Sequence, residues 1–272
     1  MLIGAVGLAF GPGLLALSRV WSSTDYYTHG FLVPLVAFWL MQARLRGLPA
    51  PAAYPGGLVG LALAGLLYGA GLLLGDPTVL GLAVVAAVAS LVVRFWGTAG
   101  LALLAFPVGF LGFMVPIPAV LLTPFIGGLQ LAVSSVAVDL LYALGFSVVQ
   151  EGNVVLLPEG GRLFVDEACS GITSIVTLLP LGAILAYFTQ STAWRRAALL
   201  VAVVPIAMLG NLIRVLATVA AADRVGVVKA TSGALHESAG MLTFALACGL
   251  LIGFGALFRK VSPTSPARSS VA

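Results

Sequence analysis

Of the 272 residues of this chain, 61% are hydrophobic and 8% are charged, and the formal net charge is +4. Roughly a quarter of the residues in an ordinary soluble domain are charged, so this composition excludes a water-covered globular protein. Apolar runs recur along the whole length, each close to the roughly 20 residues that a helix needs to cross a bilayer core. The sequence therefore predicts an all-α polytopic membrane protein whose surroundings are the lipid bilayer.

The positive charges are arranged as short groups beside the apolar runs. They form no basic stripe with interleaved aromatic residues, which is the pattern of a nucleic-acid interface. We therefore predict no nucleic-acid partner and interpret these groups as signals of membrane topology.

The apolar runs predict about eight membrane helices. They cover approximately residues 2–20, 30–43, 57–75, 78–93, 98–115, 170–190, 196–220 and 237–258. An even number of crossings places both termini on one side of the membrane. The basic residues on that side are Arg44, Arg46, Arg94, Arg195, Arg196, Arg259, Lys260 and Arg268. The positive-inside rule identifies it as the cytoplasm.

The segment 116–168 does not fit this count easily. Its apolar stretch 119–146 is long enough for a ninth crossing, but a crossing there would move Arg195 and Arg196 outside. Prolines break the start of the stretch, and polar residues interrupt it. We therefore predict an interfacial or re-entrant helix within an extracytoplasmic insertion at about 116–168.

Residues 147–168 are the largest polar insertion. Short β-prone runs at 148–149, 154–157 and 163–165, with a turn at 158–161, predict a small extracytoplasmic β-hairpin. The hairpin lies directly before Cys169 and could cover a site at the membrane surface. We expect residues 1–260 to form a single transmembrane domain, and the Ser- and Pro-rich residues 261–272 to be a disordered cytoplasmic tail.

Cys169 lies where the polar insertion ends and a membrane helix begins. A helix N-terminus lowers the pKa of a thiol and favours the reactive thiolate. The acidic neighbours Asp166 and Glu167 oppose this effect, and an isolated cysteine is often only a small buried residue. Cys248 lies deep in an apolar run and is interpreted as structural. Cys169 is therefore the candidate nucleophile.

Arg214 lies inside an otherwise apolar helix, near its outer end. A guanidinium at this depth costs at least about 2 kcal/mol, so its presence favours a function. The alternatives are snorkelling to the interface and a structural ion pair with an acid such as Glu167. Asn211, three residues earlier on the same face, could hold the guanidinium in place.

Both histidines lie at predicted outer helix ends. His236 begins the last helix, where it is either a helix-start residue or an acid/base group. Gly240 replaces the second histidine of an HExxH zinc motif, so we predict no metal and no cofactor. His29, near the start of the second helix, is either a substrate contact or an interfacial anchor.

The predicted topology brings Cys169, Arg214 and His236 to the outer ends of three consecutive helices. A nucleophile, an imidazole and a fixed cation are the parts required for acyl transfer. This favours a membrane cysteine peptidase or transpeptidase. A transporter and a non-catalytic scaffold are the alternatives, although a transporter is expected to have its polar site at the midplane.

Several motifs, in order along the chain, resemble those of the exosortases and archaeosortases. They are the segments 25–34, 113–118, 151–153 and 167–172, then Asn211-x-x-Arg214 and His236-Glu237-x-x-Gly240. The resemblance covers most of the chain.

The resemblance implies a protein-sorting thiol protease of the cell inner membrane, with its active site on the extracytoplasmic side. Such an enzyme cleaves C-terminal sorting signals (PEP-CTERM-like) of exported proteins and transfers the new carboxyl end to an acceptor nucleophile. The implied roles are nucleophile for Cys169, oxyanion stabiliser for Arg214 and acid/base for His236. Residues expected to contact the substrate are His29, Asn211, Glu167 and Ser170.

Overall fold

The computed structural model describes residues 2–157, 160–165 and 169–260; of residues 3, 234–236, 259 and 260 it describes the main chain only. The chain divides into two compact units, one up to Phe125 and one from Ile126 onward. Each unit has its own packing and is described separately.

Helices account for most of the described residues. In chain order they are α1 (Leu2–Ser23), α2 (Leu32–Leu45), α3 (Gly56–Leu74), α4 (Pro77–Leu103), α5 (Ala105–Phe110), α6 (Ala119–Ala143), α7 (Ile172–Thr189), α8 (Ala193–Val225), α9 (Val227–Thr231) and α10 (Gly233–Lys260). Short 3-10 helices lie at Asp25–Phe31 and Leu111–Met114. Among the described residues, seven helices are long and apolar enough to span a membrane: α1, α3, α4, α6, α7, α8 and α10. The prediction of a polytopic all-α membrane protein is confirmed.

In the first unit, Gly97 divides α4 into two arms. Its φ of 67° and ψ of −168° are not helical, and glycine adopts this conformation without a steric penalty. Beyond Gly97 the chain turns back, so that Val92 shares a buried cluster with Leu104 and Val108. The predicted helices 78–93 and 98–115 therefore run in opposite directions. The second consists of several short helical pieces.

The two ends of the first unit differ in charge. At one end the segment before α3 joins the middle of α4, where Tyr54 N–H donates to the carbonyl of Arg94 over 3.0 Å. At the other end Trp21 Nε1 donates to the carbonyl of Met114 over 2.9 Å. The end with Arg94 also carries Arg44 and Arg46, and the other end carries Asp25 and Asp76 together with Arg19.

In the second unit, α7, α8 and α10 surround an apolar core that includes the fully buried Leu178 and Val203. The predicted β insertion is present. Within the described residues it forms an antiparallel sheet of β1 (Val149–Glu151), β2 (Val154–Leu156) and β3 (Arg162–Phe164), in that spatial order. Part of the predicted turn at 158–161 lies outside the described residues.

The sheet packs on the end of α8 that follows Arg214. Val155 and Leu163 are buried in one cluster with Val219, and Cys169 belongs to the same cluster. The opposite end of this unit is basic, because Arg195 and Arg196 begin α8. The ring of Trp194 meets that of Phe258 there, with centroids 5.4 Å apart, so α10 ends beside the start of α8.

Helix α6 differs from the sequence interpretation of 119–146 as an interfacial or re-entrant helix. Its 25 residues give about 37 Å of helix, more than the roughly 30 Å of a hydrocarbon core. Large apolar side chains such as Leu121 and Leu131 are exposed along it. Pro124 lies within the helix without ending it. The length of α6 thus favours a membrane crossing. The positions of the basic residues instead favour a topology in which α6 does not cross the membrane.

The membrane path of α6 can be tested with topology reporters. By the positive-inside rule we expect reporters after Arg94 and Arg196 to be cytoplasmic and one inserted within residues 150–157 to be extracytoplasmic. An enzyme that is active only outside the cytoplasm gives the readout. A cytoplasmic signal from 150–157 would mean that α6 crosses the membrane and that the sheet faces inward.

Candidate active site

Cys169 lies in a tight turn that leads into α7. The turn ends at Gly171, whose φ of 91° lies in the left-handed region that glycine adopts freely. Within the turn Ile172 N–H donates to Ser170 Oγ over 3.2 Å. Cys169 is 8% exposed and lies two residues before Gly171, the N-cap of α7, so the turn holds it largely out of solvent near the start of this helix.

Ser170 is fully buried and supports this turn through its hydroxyl. The sequence analysis expected a substrate contact at this position. The burial favours a role in shaping the turn over direct contact of the side chain with substrate.

Asn211 of α8 holds the main chain of Cys169. Its side chain is 3% exposed, and Nδ2 donates to the Cys169 carbonyl over 2.6 Å. The sequence analysis expected Asn211 to position the guanidinium of Arg214 or to contact substrate. The contact that the structure shows is with the main chain of Cys169, the candidate nucleophile, and it favours a positioning role for Asn211.

Gly171 lies close to α8 as well. A Cβ at this position would lie 3.2 Å from Met208 Sδ and 3.4 Å from Asn211 Cβ. Any other residue at position 171 would therefore meet both a strained φ and a crowded helix face.

Arg214 lies between α8 and α10. A Cβ built on Gly240 would lie 3.6 Å from Arg214 Cζ, so the guanidinium packs directly against the first turns of α10. One turn deeper, a Cβ on Gly210 would lie 3.2 Å from the carbonyl oxygen of Thr243. Gly210 thus lets the two helices approach closely, and at Gly240 the guanidinium lies at ordinary contact distance from α10.

His236 lies in the first turn of α10, four residues before Gly240. Residues four apart on a helix lie on the same face, so the main chain of His236 is one turn from the Arg214 guanidinium. The side chain of His236 lies outside the described residues. Glu167 does too, and with it the predicted ion pair between Glu167 and Arg214.

His29 belongs to the first unit, where it joins two of the motif segments. Its Nε2 lies 3.1 Å from the carbonyl oxygen of Phe113. A carbonyl only accepts, so His29 donates. Burial holds the pKa of His29 below its usual value and favours the neutral ring. Nearby, Ile117 N–H donates to the Tyr27 hydroxyl over 2.7 Å.

These contacts indicate a structural role for His29. From the sequence we predict either a substrate contact or an interfacial anchor, and neither includes a bond to another motif segment. They tie segment 25–31 to segment 113–117. The order of the two motifs along the chain indicated that both matter, but it carried no signal that they contact each other.

Cys248 lies in the middle of α10 and packs against the apolar core of the second unit. This agrees with its interpretation as a structural residue. Cys248 lies about three turns beyond His236 on α10. Cys169, in the turn before α7, is therefore the cysteine that lies near the polar residues of the candidate site.

The fold and these contacts define a class: a polytopic membrane protein whose second unit holds the buried polar residues Ser170 and Asn211 beside Cys169, which packs in one cluster with a small sheet. The family model of the transmembrane exosortases matches residues 21–253, and the chain belongs to this family. Exosortases are membrane-embedded transpeptidases that sort exported proteins carrying sorting signals. Comparison with curated proteins and with solved structures finds no match.

The Asn211 contact can be tested by its contribution to stability. We expect Asn211→Leu to lower the free energy of unfolding by about 1–3 kcal/mol, because the Cys169 carbonyl would stay buried without this donor. Thermal unfolding of the detergent-purified protein gives the measurement. The control is Thr218→Val on the same helix, since the Thr218 hydroxyl donates to a helix carbonyl, that of Arg214. Equal effects of the two changes would contradict the assigned role.

Proposed function

We propose that the protein cleaves C-terminal sorting signals of exported proteins and transfers the new carboxyl end to an acceptor nucleophile, at the extracytoplasmic face of the cytoplasmic membrane. The observation that carries the proposal is the arrangement along α8. Asn211 binds the Cys169 segment over 2.6 Å, and Arg214, three residues on, packs against the first turns of α10. One rigid helix therefore connects the candidate nucleophile, the candidate oxyanion donor and the helix that carries His236.

The reaction begins with the thiolate of Cys169. It attacks the carbonyl carbon of the scissile peptide bond, a carbon–sulfur bond forms, and negative charge moves to the carbonyl oxygen. Arg214 donates to that oxygen. The carbon–nitrogen bond then breaks, and the leaving amine takes a proton from His236. The products of this step are a thioester on Cys169 and the released C-terminal helix.

The second step uses the same groups, with His236 now accepting a proton where it donated one before. A nucleophilic amine, hydroxyl or water attacks the thioester carbon and gives its proton to His236. Arg214 again stabilises the oxyanion. The carbon–sulfur bond breaks, and Cys169 leaves as the thiolate, ready for the next substrate. The acceptor decides whether the outcome is transfer or hydrolysis.

Arg214 suits this role because a guanidinium stays charged at any working pH and presents its donors in a fixed fork. Its electrostatic effect is larger near the low-dielectric bilayer than in water. Glu167 and His29 are retained as proposed substrate contacts. Nothing in the family match favours the transporter or scaffold alternatives.

The role of Cys169 predicts a clear difference between the two thiols. We expect Cys169→Ala and Cys169→Ser to abolish processing while the protein still accumulates. Cys248→Ala is the matched control and should keep processing, because its side chain only fills the apolar core. Mass spectrometry of the C-termini of exported substrate proteins gives the readout. Normal processing by a well-expressed Cys169→Ala variant would remove the enzyme assignment.

If Arg214 donates to the oxyanion, a positive charge at this position is not sufficient for turnover. Lysine keeps the charge but has a flexible stem and no fork, so we expect Arg214→Lys to lose on the order of 10²-fold in turnover, as loss of an oxyanion donor does. The variant should accumulate and co-purify with uncleaved substrate. Arg196→Lys, at the other end of α8, should process normally.

A structural ion pair with Glu167 predicts a different result for the same variants. Lysine would then substitute for arginine, and removal of both charges would restore the expression that each single removal loses. Near-normal processing by Arg214→Lys would therefore leave Arg214 as a structural residue.

A further inference from the structure

The strand β3 lies at the edge of the small sheet and comes shortly before Cys169 in the sequence. The spatial order β1–β2–β3 makes β3 an edge strand. β3 ends at Phe164, and Cys169 is the fourth residue after Val165, with three residues between them. Four residues of extended chain span at most about 14 Å. The edge of β3 is thus close to the candidate nucleophile along the chain.

The hydrogen bonds of the sheet show which main-chain groups of β3 are used. Leu157 N–H donates to the Gly161 carbonyl and Val165 N–H donates to the Asn153 carbonyl, both over 2.8 Å. In an antiparallel pair, successive residues direct their main-chain groups alternately toward the partner strand and away from it. Leu163, midway between these two pairs, therefore also faces β2.

Arg162 and Phe164 direct their main-chain groups to the open side by the same alternation. Among the described residues, neither makes a main-chain hydrogen bond outside the sheet. Their side chains are accessible: Phe164 is 58% exposed, and Arg162 forms an exposed ion pair with Glu151 over 3.2 Å. Leu163 is buried against α8 and holds the strand in place. Within the part of the chain that the structure describes, β3 is therefore an anchored strand whose outer edge makes no main-chain hydrogen bond.

We propose that the open edge of β3 binds the extended segment of a sorting signal as an added β-strand and so delivers the scissile bond to Cys169. This inference rests on the proposed function. The unused groups define the occupant, because two amides and two carbonyls on one edge match an extended polypeptide. A helix cannot satisfy them, since its main-chain groups already bond to each other.

The closeness of β3 to Cys169 along the chain favours a substrate strand on this edge over a second copy of the enzyme. Cys169 lies at most about 14 Å from Val165, so a peptide strand paired with β3 needs only about four further extended residues to cover that separation. Edge-to-edge pairing of two copies would instead occupy the same groups with another β3 and deliver no scissile bond.

Disulfide cross-linking tests the pairing directly. The background is Cys169→Ala with Cys248→Ala, so that no native thiol remains. Phe164→Cys is introduced, and single cysteines are placed at successive positions of the substrate segment that precedes its membrane helix. We expect cross-links at alternate positions, because side chains of a strand alternate between faces. Val149→Cys is the matched control, on the far strand and 62% exposed, and should give none.

Three results would overturn the inference. They are no cross-link to Phe164→Cys, cross-links with a helical period of three to four, and cross-links between two copies of the enzyme in place of substrate. None depends on catalysis, because the background lacks the nucleophile. If Cys169→Ala instead still processes substrate, the proposed function fails on that separate result.

A proline exchange provides a second measurement. Proline removes a main-chain N–H and is tolerated on an edge strand when that N–H faces outward. Phe164→Pro should weaken capture of uncleaved substrate by the Cys169→Ala protein roughly fivefold, as expected for one lost hydrogen bond. Gln150→Pro removes an outward N–H from the opposite edge and should leave capture unchanged. Unchanged capture by Phe164→Pro would contradict the proposal.

Discussion

The site depends on one buried hydrogen bond, from Asn211 Nδ2 to the main-chain carbonyl of Cys169. This bond fixes the turn before α7 to α8. Because Asn211 and Arg214 are three residues apart on one continuous helix, their axial separation is about 4.5 Å and does not vary with loop motion. The positions of the Cys169 main chain and the Arg214 guanidinium are thus tied to one helix, as in pre-organised sites.

Glycines allow the approach of α8 and α10 that completes this arrangement. In lipid, apolar side chains gain little by meeting each other, so helices associate through close contact at small residues. Gly210 lies against the main chain of Thr243, and Gly240 lies against the Arg214 guanidinium. A Cβ at position 210 would crowd the Thr243 carbonyl, whereas a Cβ at position 240 would make ordinary van der Waals contact with the guanidinium. The absence of a side chain at Gly210 is therefore part of how α8 and α10 pack.

The sequence predicted the elements better than their contacts. Apolar run length predicted most of the membrane helices, but the predicted crossing 30–43 corresponds to α2, which has 14 residues and is not among the seven long helices, whereas α6 is among them. β-prone runs between turn residues predicted the sheet. The two apolar runs 78–93 and 98–115 predicted the break in α4, but nothing in the sequence singled out Gly97, one of 33 glycines, as the residue that makes it. The prolines around α6 suggested a break, and the helix continues through Pro124. The motifs marked Asn211 and His29 as important. Their partners, the carbonyls of Cys169 and Phe113, are ordinary main-chain groups that no side-chain pattern reveals.

The location of Cys169 also matches the physical form of a sorting signal. Cys169 lies between a sheet, whose exposed edge suits water, and the helix α7, whose apolar surface suits lipid. A signal made of a short motif and a membrane helix changes from extended to helical chain at the same boundary, because in lipid its main-chain groups must bond to each other, as a helix allows. Under the proposed function, the peptide bond at that change is the one presented to the thiol. Depth in the membrane then selects the scissile bond together with side-chain recognition.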